Sequence, residues 1–349
     1  MAELQRAALG RIEDVDQLER LLSEPSEAAI DALARIPGDL ILLGVGGKMG
    51  PALARMARVA SDRAGTRRRI IGVARFTDAR HERSLQAHGV DTIRCDLLDP
   101  AQLDRLPDVP NVVFMTGMKF GSTGQEALTW AMNCWLPAMV CRKYSQSRVV
   151  AFSTGNVYGL TPIERGGSIE TDALCPLGEY AMSCVGRERI FEHFSRTASM
   201  PMAVLRLNYA TEMRYGVLVD LAQRVMAGQP IDLAMGYLNA LWQGDANAMA
   251  LASLGRTASP PLVVNLAGSE VLSVRRVGEE FGRLLGRPPI FRGSEQSDAL
   301  LSNGQLGYRL FGHPRVLAEQ MIEWIADWIG RGRETLGKPT HFEVRDGQF

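Results

Sequence analysis

The segment Leu40-Ile41-Leu42-Leu43-Gly44-Val45-Gly46-Gly47-Lys48-Met49-Gly50 runs from apolar residues into a glycine-spaced turn, and Pro51 to Ala60 continue it as a helix. Read in order, this is a buried strand, a tight turn and a helix N-terminus. Glycines at 44, 47 and 50 let the backbone turn, approach a phosphate and pack helix against strand. The helix start offers free N–H groups and a positive dipole end. The expected grip on a dinucleotide pyrophosphate is therefore Gly44, Gly46, Gly47, Lys48, Met49 and Gly50. A strand-to-helix turn without a ligand is the alternative for an isolated match. A P-loop is excluded, because Lys48 is followed by Met49 and Leu42 stands where its first glycine would be.

Outward from this turn, short apolar runs alternate with helical stretches. Strands are expected at 40–45, 70–74, 92–94, 112–115, 149–153 and 203–207, which implies an α/β, doubly wound parallel sheet of Rossmann type. Residues 1–37 read as an N-terminal helical extension, with Ser23 as an N-cap. Residues 38–207 form the dinucleotide-binding domain. A smaller C-terminal substrate lobe over 208–330 holds helices near 218–227, 274–285 and 316–329, and a loosely packed tail follows over 331–349. The segment 124–144 is apolar nearly all round, so it needs cover on more than one side, and a subunit interface is one way to supply it.

Composition narrows the function classes. The chain has 349 residues, 46% hydrophobic and 22% charged, with 39 basic residues balancing 39 acidic ones. No global field favours nucleic acid or an anionic membrane. No run reaches the length of a membrane span and no signal peptide is apparent. The five cysteines form no Cys-x-x-Cys pair, which fits reduced thiols in a cytoplasmic protein. The five histidines are scattered, so no metal site is expected.

The second expected strand ends Val73-Ala74-Arg75. An NAD site usually has an acid here for the ribose 2′-hydroxyl; Ala74 followed by the cation Arg75 favours NADP over NAD. Asp96 and Leu97 follow the third strand, where the carboxylate could receive the adenine amino group or merely cap a turn. Thr116 and Gly117, directly after the fourth strand, are counted with the cofactor residues. Ser153-Thr154-Gly155-Asn156-Val157-Tyr158-Gly159 places hydroxyls at the carboxyl edge of the sheet, where ligands bind in such folds. Tyr180-Ala181-Met182-Ser183-Cys184 follows on a helix.

From about Asp39 to about Ile329, the chain resembles the extended short-chain dehydrogenase/reductases, the NAD(P)-dependent epimerase/dehydratase family. The glycine turn, Asp96, the Ser153–Gly159 stretch, Asn133 and Asn265-Leu266-Ala267-Gly268 carry the likeness. The resemblance implies reversible hydride transfer from a sugar or sugar-nucleotide-like alcohol. Tyr180 would be the acid/base, Thr154 and Ser153 the catalytic hydroxyls, and the active form a homodimer. Lys119, Asn156, Asn208 and Arg214 are the expected substrate-binding residues.

One position departs from the family. Its pattern is Tyr-x-x-x-Lys, and this chain has Cys184 in the lysine's place. A phenol titrates near 10, so without a cation Tyr180 is a poor base. Arg187, two helical turns beyond Tyr180, is one candidate for the missing charge, but it reads better as a surface or interface residue. Lys119, after the fourth strand, is another, with a solvated loop lysine as its alternative. The rival reading is a catalytically impaired NAD(P)-binding protein, serving as redox sensor or scaffold.

Overall fold

The computed structural model describes residues 11–119 and 121–348. The part of the expected extension before residue 11 lies outside them. Seven strands form the central sheet: β1 (Leu40–Leu43), β2 (Ile70–Ala74), β3 (Asp91–Arg94), β4 (Asn111–Phe114), β5 (Arg148–Thr154), β6 (Met202–Leu207) and β7 (Leu262–Leu266). Their order is β7-β6-β5-β4-β1-β2-β3 and every pairing is parallel. The order reverses beside β1, with Leu40 facing Ile70 on one side and Asn111 on the other. That switch point opens a crevice at the carboxyl ends of the strands. β1, β2 and β4 are buried along their whole length. Helices on both sheet faces impose this and explain their unbroken apolar runs. The first six strands fall where the sequence places them. β7 was not expected.

The N-terminal helices are built into the body. Val15–Leu22 sends Leu18 and Leu22 into the core of the C-terminal lobe, where Ile12 joins them. Glu27–Arg35 buries Ala29 and Leu33 with the residues that cover the sheet. Ser23 closes the first of these helices, and Ser26 caps the second through Ala29 N–H at 3.2 Å. In the lobe, helices Val217–Met226, Val274–Leu285 and Ala318–Gly330 enclose Trp324 and Trp328.

The C-terminal tail, expected to be loose, is tied down. The Leu336 N–H donates to the Arg214 carbonyl at 2.9 Å. Thr340 donates from backbone and hydroxyl to Asp220 at 2.8 and 2.6 Å. Phe342 is only 1% exposed, and Gly347 lies against the Leu177–Gly178 backbone at the head of helix Gly178–Ala198. The glycines and charges of this segment mark turns and ion pairs.

Candidate active site

A cleft of about 1400 Å³ lies at the switch point, lined by Gly46 to Met49, Thr116, Gly117, Lys119, Thr154, Asn156, Tyr180 and Asn208. Small-ligand pockets are usually about 300–1,000 Å³, so a dinucleotide and a second molecule both have room. Val15, Asp16 and Glu19 of the first helix form part of one wall.

The turn after β1 is fixed by its glycines. Gly44 has φ +95°, and a Cβ there would fall 2.5 Å from the Thr116 hydroxyl, which itself donates to the Leu43 carbonyl at 3.1 Å. A Cβ on Gly50 would lie 2.1 Å from the Val45 carbonyl oxygen, so only glycine lets the helix start this close to the strand. Gly47 differs: its nearest neighbour would be 3.6 Å away, leaving its face open. Helix Gly50–Arg63 has no side-chain cap, and Pro51 occupies its first turn. Its amide end is thus available to an anion. These features fit a dinucleotide diphosphate.

The adenosine end is less built. Ala74 lies beside Gly46, whose Cβ would come within 3.2 Å of it. Arg75 is exposed beyond the cleft lining. Asp96 spends one carboxylate oxygen on the Leu98 N–H at 3.1 Å, and Leu97 is buried in the core. Arg75, Asp96 and Leu97 do not line the cleft.

At the reactive end, Tyr180 stands in the first turn of Gly178–Ala198 and is 9% exposed. Its hydroxyl is hydrogen-bonded to the side chains of Thr154 and Cys184. Thr154 Oγ1 also accepts from the Asn156 side-chain amide at 2.8 Å and from its backbone at 3.2 Å. Burial pushes the Tyr180 phenol well above its ordinary range; Cys184 adds to this and Arg187 opposes it. The Cys184 thiol is pushed up by burial as well.

Arg187 corrects the sequence reading, because it is buried rather than on the surface. Its guanidinium donates to the Phe152 carbonyl at 2.9 Å and to Asn133 Oδ1. Space for it exists because residue 117 is glycine; a Cβ there would sit 2.4 Å from Nη2. Asn133, in the π turn Ala131–Trp135, also holds Met118 through its N–H at 3.1 Å and its carbonyl at 3.2 Å, and donates to Ser183 at 2.9 Å. One asparagine thus clamps the loop after β4 to the tyrosine helix and sets the position of Lys119. The Lys119 ammonium lies 5.9 Å from the Tyr180 ring centre, and burial lowers it to about 8.

Other expected site residues serve different ends. Ser153 donates at 2.6 Å to Glu188, which is ion-paired with buried Arg206 at 2.7 Å, so its hydroxyl braces the end of β5. Asn208 lines the cleft and donates to the Leu300 carbonyl at 3.4 Å. Arg214 is held by Glu19 at 2.7 Å and Glu212 at 3.1 Å. Lys48 extends away from its own turn to within 3.3 Å of the Tyr215 ring centre. Among the described residues, no His/Cys/Asp/Glu group could hold a metal ion.

The sequence profile of the NAD dependent epimerase/dehydratase family matches residues 40–233. The chain belongs to that family. Similar solved structures include a UDP-glucuronic acid 4-epimerase from Bacillus cereus in complex with UDP-glucuronic acid and NAD, at 16% identity and TM-score 0.69, covering 84% of this chain and 99% of that one. A dTDP-glucose 4,6-dehydratase from Bacillus anthracis in complex with NAD matches at 16% identity and TM-score 0.70, covering 84% and 97%. A UDP-glucose 4-epimerase from Thermotoga maritima with UDP-glucose matches at 14% identity and TM-score 0.68, covering 84% and 99%. No curated protein sequence matches the chain. Charges near Tyr180 come from Lys119, whose ammonium lies 5.9 Å from the ring centre, and from Arg187.

Proposed function

We propose that the protein is an NAD(P)-dependent oxidoreductase/epimerase that moves hydride reversibly between the coenzyme and a sugar or sugar-nucleotide-like alcohol. The observation that carries this is the hydrogen-bonded Tyr180–Thr154 pair in the cleft that begins at the glycine turn. Hydride acceptance and return are the chemistry that a bound nicotinamide supplies. Gly46, Gly47 and the amide end of Gly50–Arg63 would hold its diphosphate. Thr154, whose oxygen already accepts from Asn156, can direct its proton at a substrate oxygen. Tyr180 exchanges the proton of the reacting hydroxyl.

A phenol titrates near 10 and burial pushes Tyr180 higher, so the resting site is set to donate a proton to a carbonyl, the reductive direction. Oxidation requires the phenolate, and Lys119 and Arg187 are the cations that would stabilise it. Epimerisation is the two directions in succession with the ketone turned over between them. The rival reading, a redox sensor or scaffold, draws on Cys184 standing in the lysine's place. Turnover of NADPH and NADH with a panel of sugars and sugar nucleotides, compared with Tyr180→Phe, separates the two. Wild type and variant equally inert, with coenzyme still bound tightly, would establish the binding module.

NADP preference rests on Ala74 and Arg75 alone, and Arg75→Ala should weaken NADP more than NAD. A homodimer is supported by the exposed Leu128 and Trp135 together with Met182 of the adjoining helix; a monomer in sedimentation at micromolar concentration would refute it. A cytoplasmic location accords with five unpaired cysteines. Among the described residues, no helix is long and apolar enough to cross a membrane.

A further inference from the structure

We propose that Glu19 is a positioning residue: paired at once with Arg55 and Arg214, it latches the C-terminal lobe to the helix Gly50–Arg63 and holds the cleft at its working width. The consequence for substrate rests on the reading given under Proposed function; the latch itself does not.

Glu19 stands on the helix Val15–Leu22, ahead of the residues that the family profile matches. Leu18 and Leu22 bury this helix in the lobe core, so the lobe carries it. The carboxylate of Glu19 faces two ways. Its Oε1 accepts from Arg214 Nη2 at 2.7 Å, and its Oε2 accepts from Arg55 Nη1 at 3.1 Å. Arg55 belongs to the helix whose amide end would hold the diphosphate, and its Nη2 donates to Ser84 at 2.6 Å. Arg214 belongs to the lobe. Glu212 accepts from its Nε at 3.1 Å and from its N–H at 2.8 Å, and its carbonyl accepts from Leu336 at 2.9 Å. A run of polar contacts thus joins Ser84 to the C-terminal tail through one carboxylate. Arg55, Glu19 and Arg214 all line the cleft.

The setting gives this carboxylate leverage. The three side chains are 13–19% exposed, so their pairing is little screened. Within the run two carboxylates meet two guanidiniums, so breaking one pair leaves a charge uncompensated. A second pair between the same segments, Glu24 with Arg63, has its arginine 46% exposed and contributes less. Alongside, the Lys48 ammonium lies 3.3 Å from the Tyr215 ring centre, so the glycine turn and the lobe meet one residue from Arg214. A ligand touching both turn and lobe finds the cleft already set. Without the latch it must first select the closed arrangement, and its apparent affinity falls by the fraction closed. Once bound, it meets the same Tyr180 and Thr154, so kcat is kept.

The test is Arg55→Gln in the full chain, which breaks the latch but leaves Glu19 on Arg214. With the member of the sugar panel that turns over fastest, KM should rise about tenfold, at the low end of coupling between sites. The values of kcat and coenzyme affinity should stay within about twofold. Ser84→Ala removes the other Arg55 bond and should leave KM unchanged. Adding Arg55→Gln to Glu19→Gln should change nothing further, because the relay is already cut. Hydrogen exchange on the ligand-free chain reads the latch without a substrate. In Arg55→Gln, amides 212–217 should exchange about tenfold faster while strand 203–207 keeps its protection, although the substitution lies on the other side of the latch. Three results overturn the proposal: an unchanged KM, a joint loss of kcat and coenzyme affinity that marks a general structural role, or unchanged exchange at 212–217. If no sugar turns over, the proposed function fails and the exchange measurement alone decides the latch. Should Arg55→Gln not fold, Glu19→Gln is read in the same two assays.

Discussion

Lys119→Met removes the charge that faces the Tyr180 ring at 5.9 Å. At an effective dielectric of about 20, a unit charge some 6 Å away contributes about 3 kcal/mol to the phenolate. That equals roughly two pKa units. If Tyr180 must ionise during alcohol oxidation, the variant should lose about 100-fold in kcat at pH 7, within the roughly 10² to 10⁴ that proton transfer contributes. The sign of the pH dependence is a stricter check. Lys119 is held at about 8, so its ammonium is present below that pH and is lost above it. The gap between wild type and variant should therefore be widest near pH 7 and close as the pH rises past 8. Lys119→Arg should stay within a few-fold of wild type. Stopped-flow measurement of NADPH formation across pH 6–10 reads all three. A loss of under threefold, or a gap that does not change with pH, would refute the electrostatic reasoning.

Other outcomes follow from packing. Glu188→Gln leaves buried Arg206 without its counter-charge and should cost about 3–5 kcal/mol in a urea melt. Phe342→Ala should cost a similar amount, about 3–5 kcal/mol, because the ring is buried in the lobe core; an unchanged midpoint would mean the tail is not part of the fold. Gly50→Ala places a methyl against the Val45 carbonyl and must move the helix start. Coenzyme affinity should fall while the far-UV spectrum is kept, and full affinity would argue against the diphosphate cradle.

Five of the seven sheet strands were legible as apolar runs that end in turn residues; β3, Asp91-Thr92-Ile93-Arg94, is largely exposed and was legible only from its place in the alternation of strands and helices. β7 was passed over because its apolar run, Leu262-Val263-Val264, is short, follows two prolines and is broken by Asn265 before Leu266. Tyr180 and Thr154 were singled out by the family resemblance, and both line the cleft. Arg187 was misread because its spacing from Tyr180 describes only its own helix. The hole that receives it is made by Gly117 and Asn133 on two other segments. A glycine directly after a central strand was the available signal. Arg214 was expected to bind substrate, but it is ion-paired with Glu212, two positions earlier, and with Glu19, which lies 195 positions earlier and only the tertiary fold brings near. Lys338, which lines the cleft, escaped notice in a glycine-rich tail whose anchors, Asp220 and the Arg214 carbonyl, are set by the tertiary fold alone.

The cleft takes one wall from residues 15–24 and another from residues 336–340, although the reactive groups lie in the middle of the chain. A molecule lodged there touches both flanks of the sequence at once, and its binding energy resists the fraying of either. Occupancy should accordingly be legible to a protease: trimming near the tail and nicking near the first helix would slow together as the chamber fills. Screening compounds by such protection needs no knowledge of the reaction, so the wrapped architecture offers its own route to finding what the enzyme acts on.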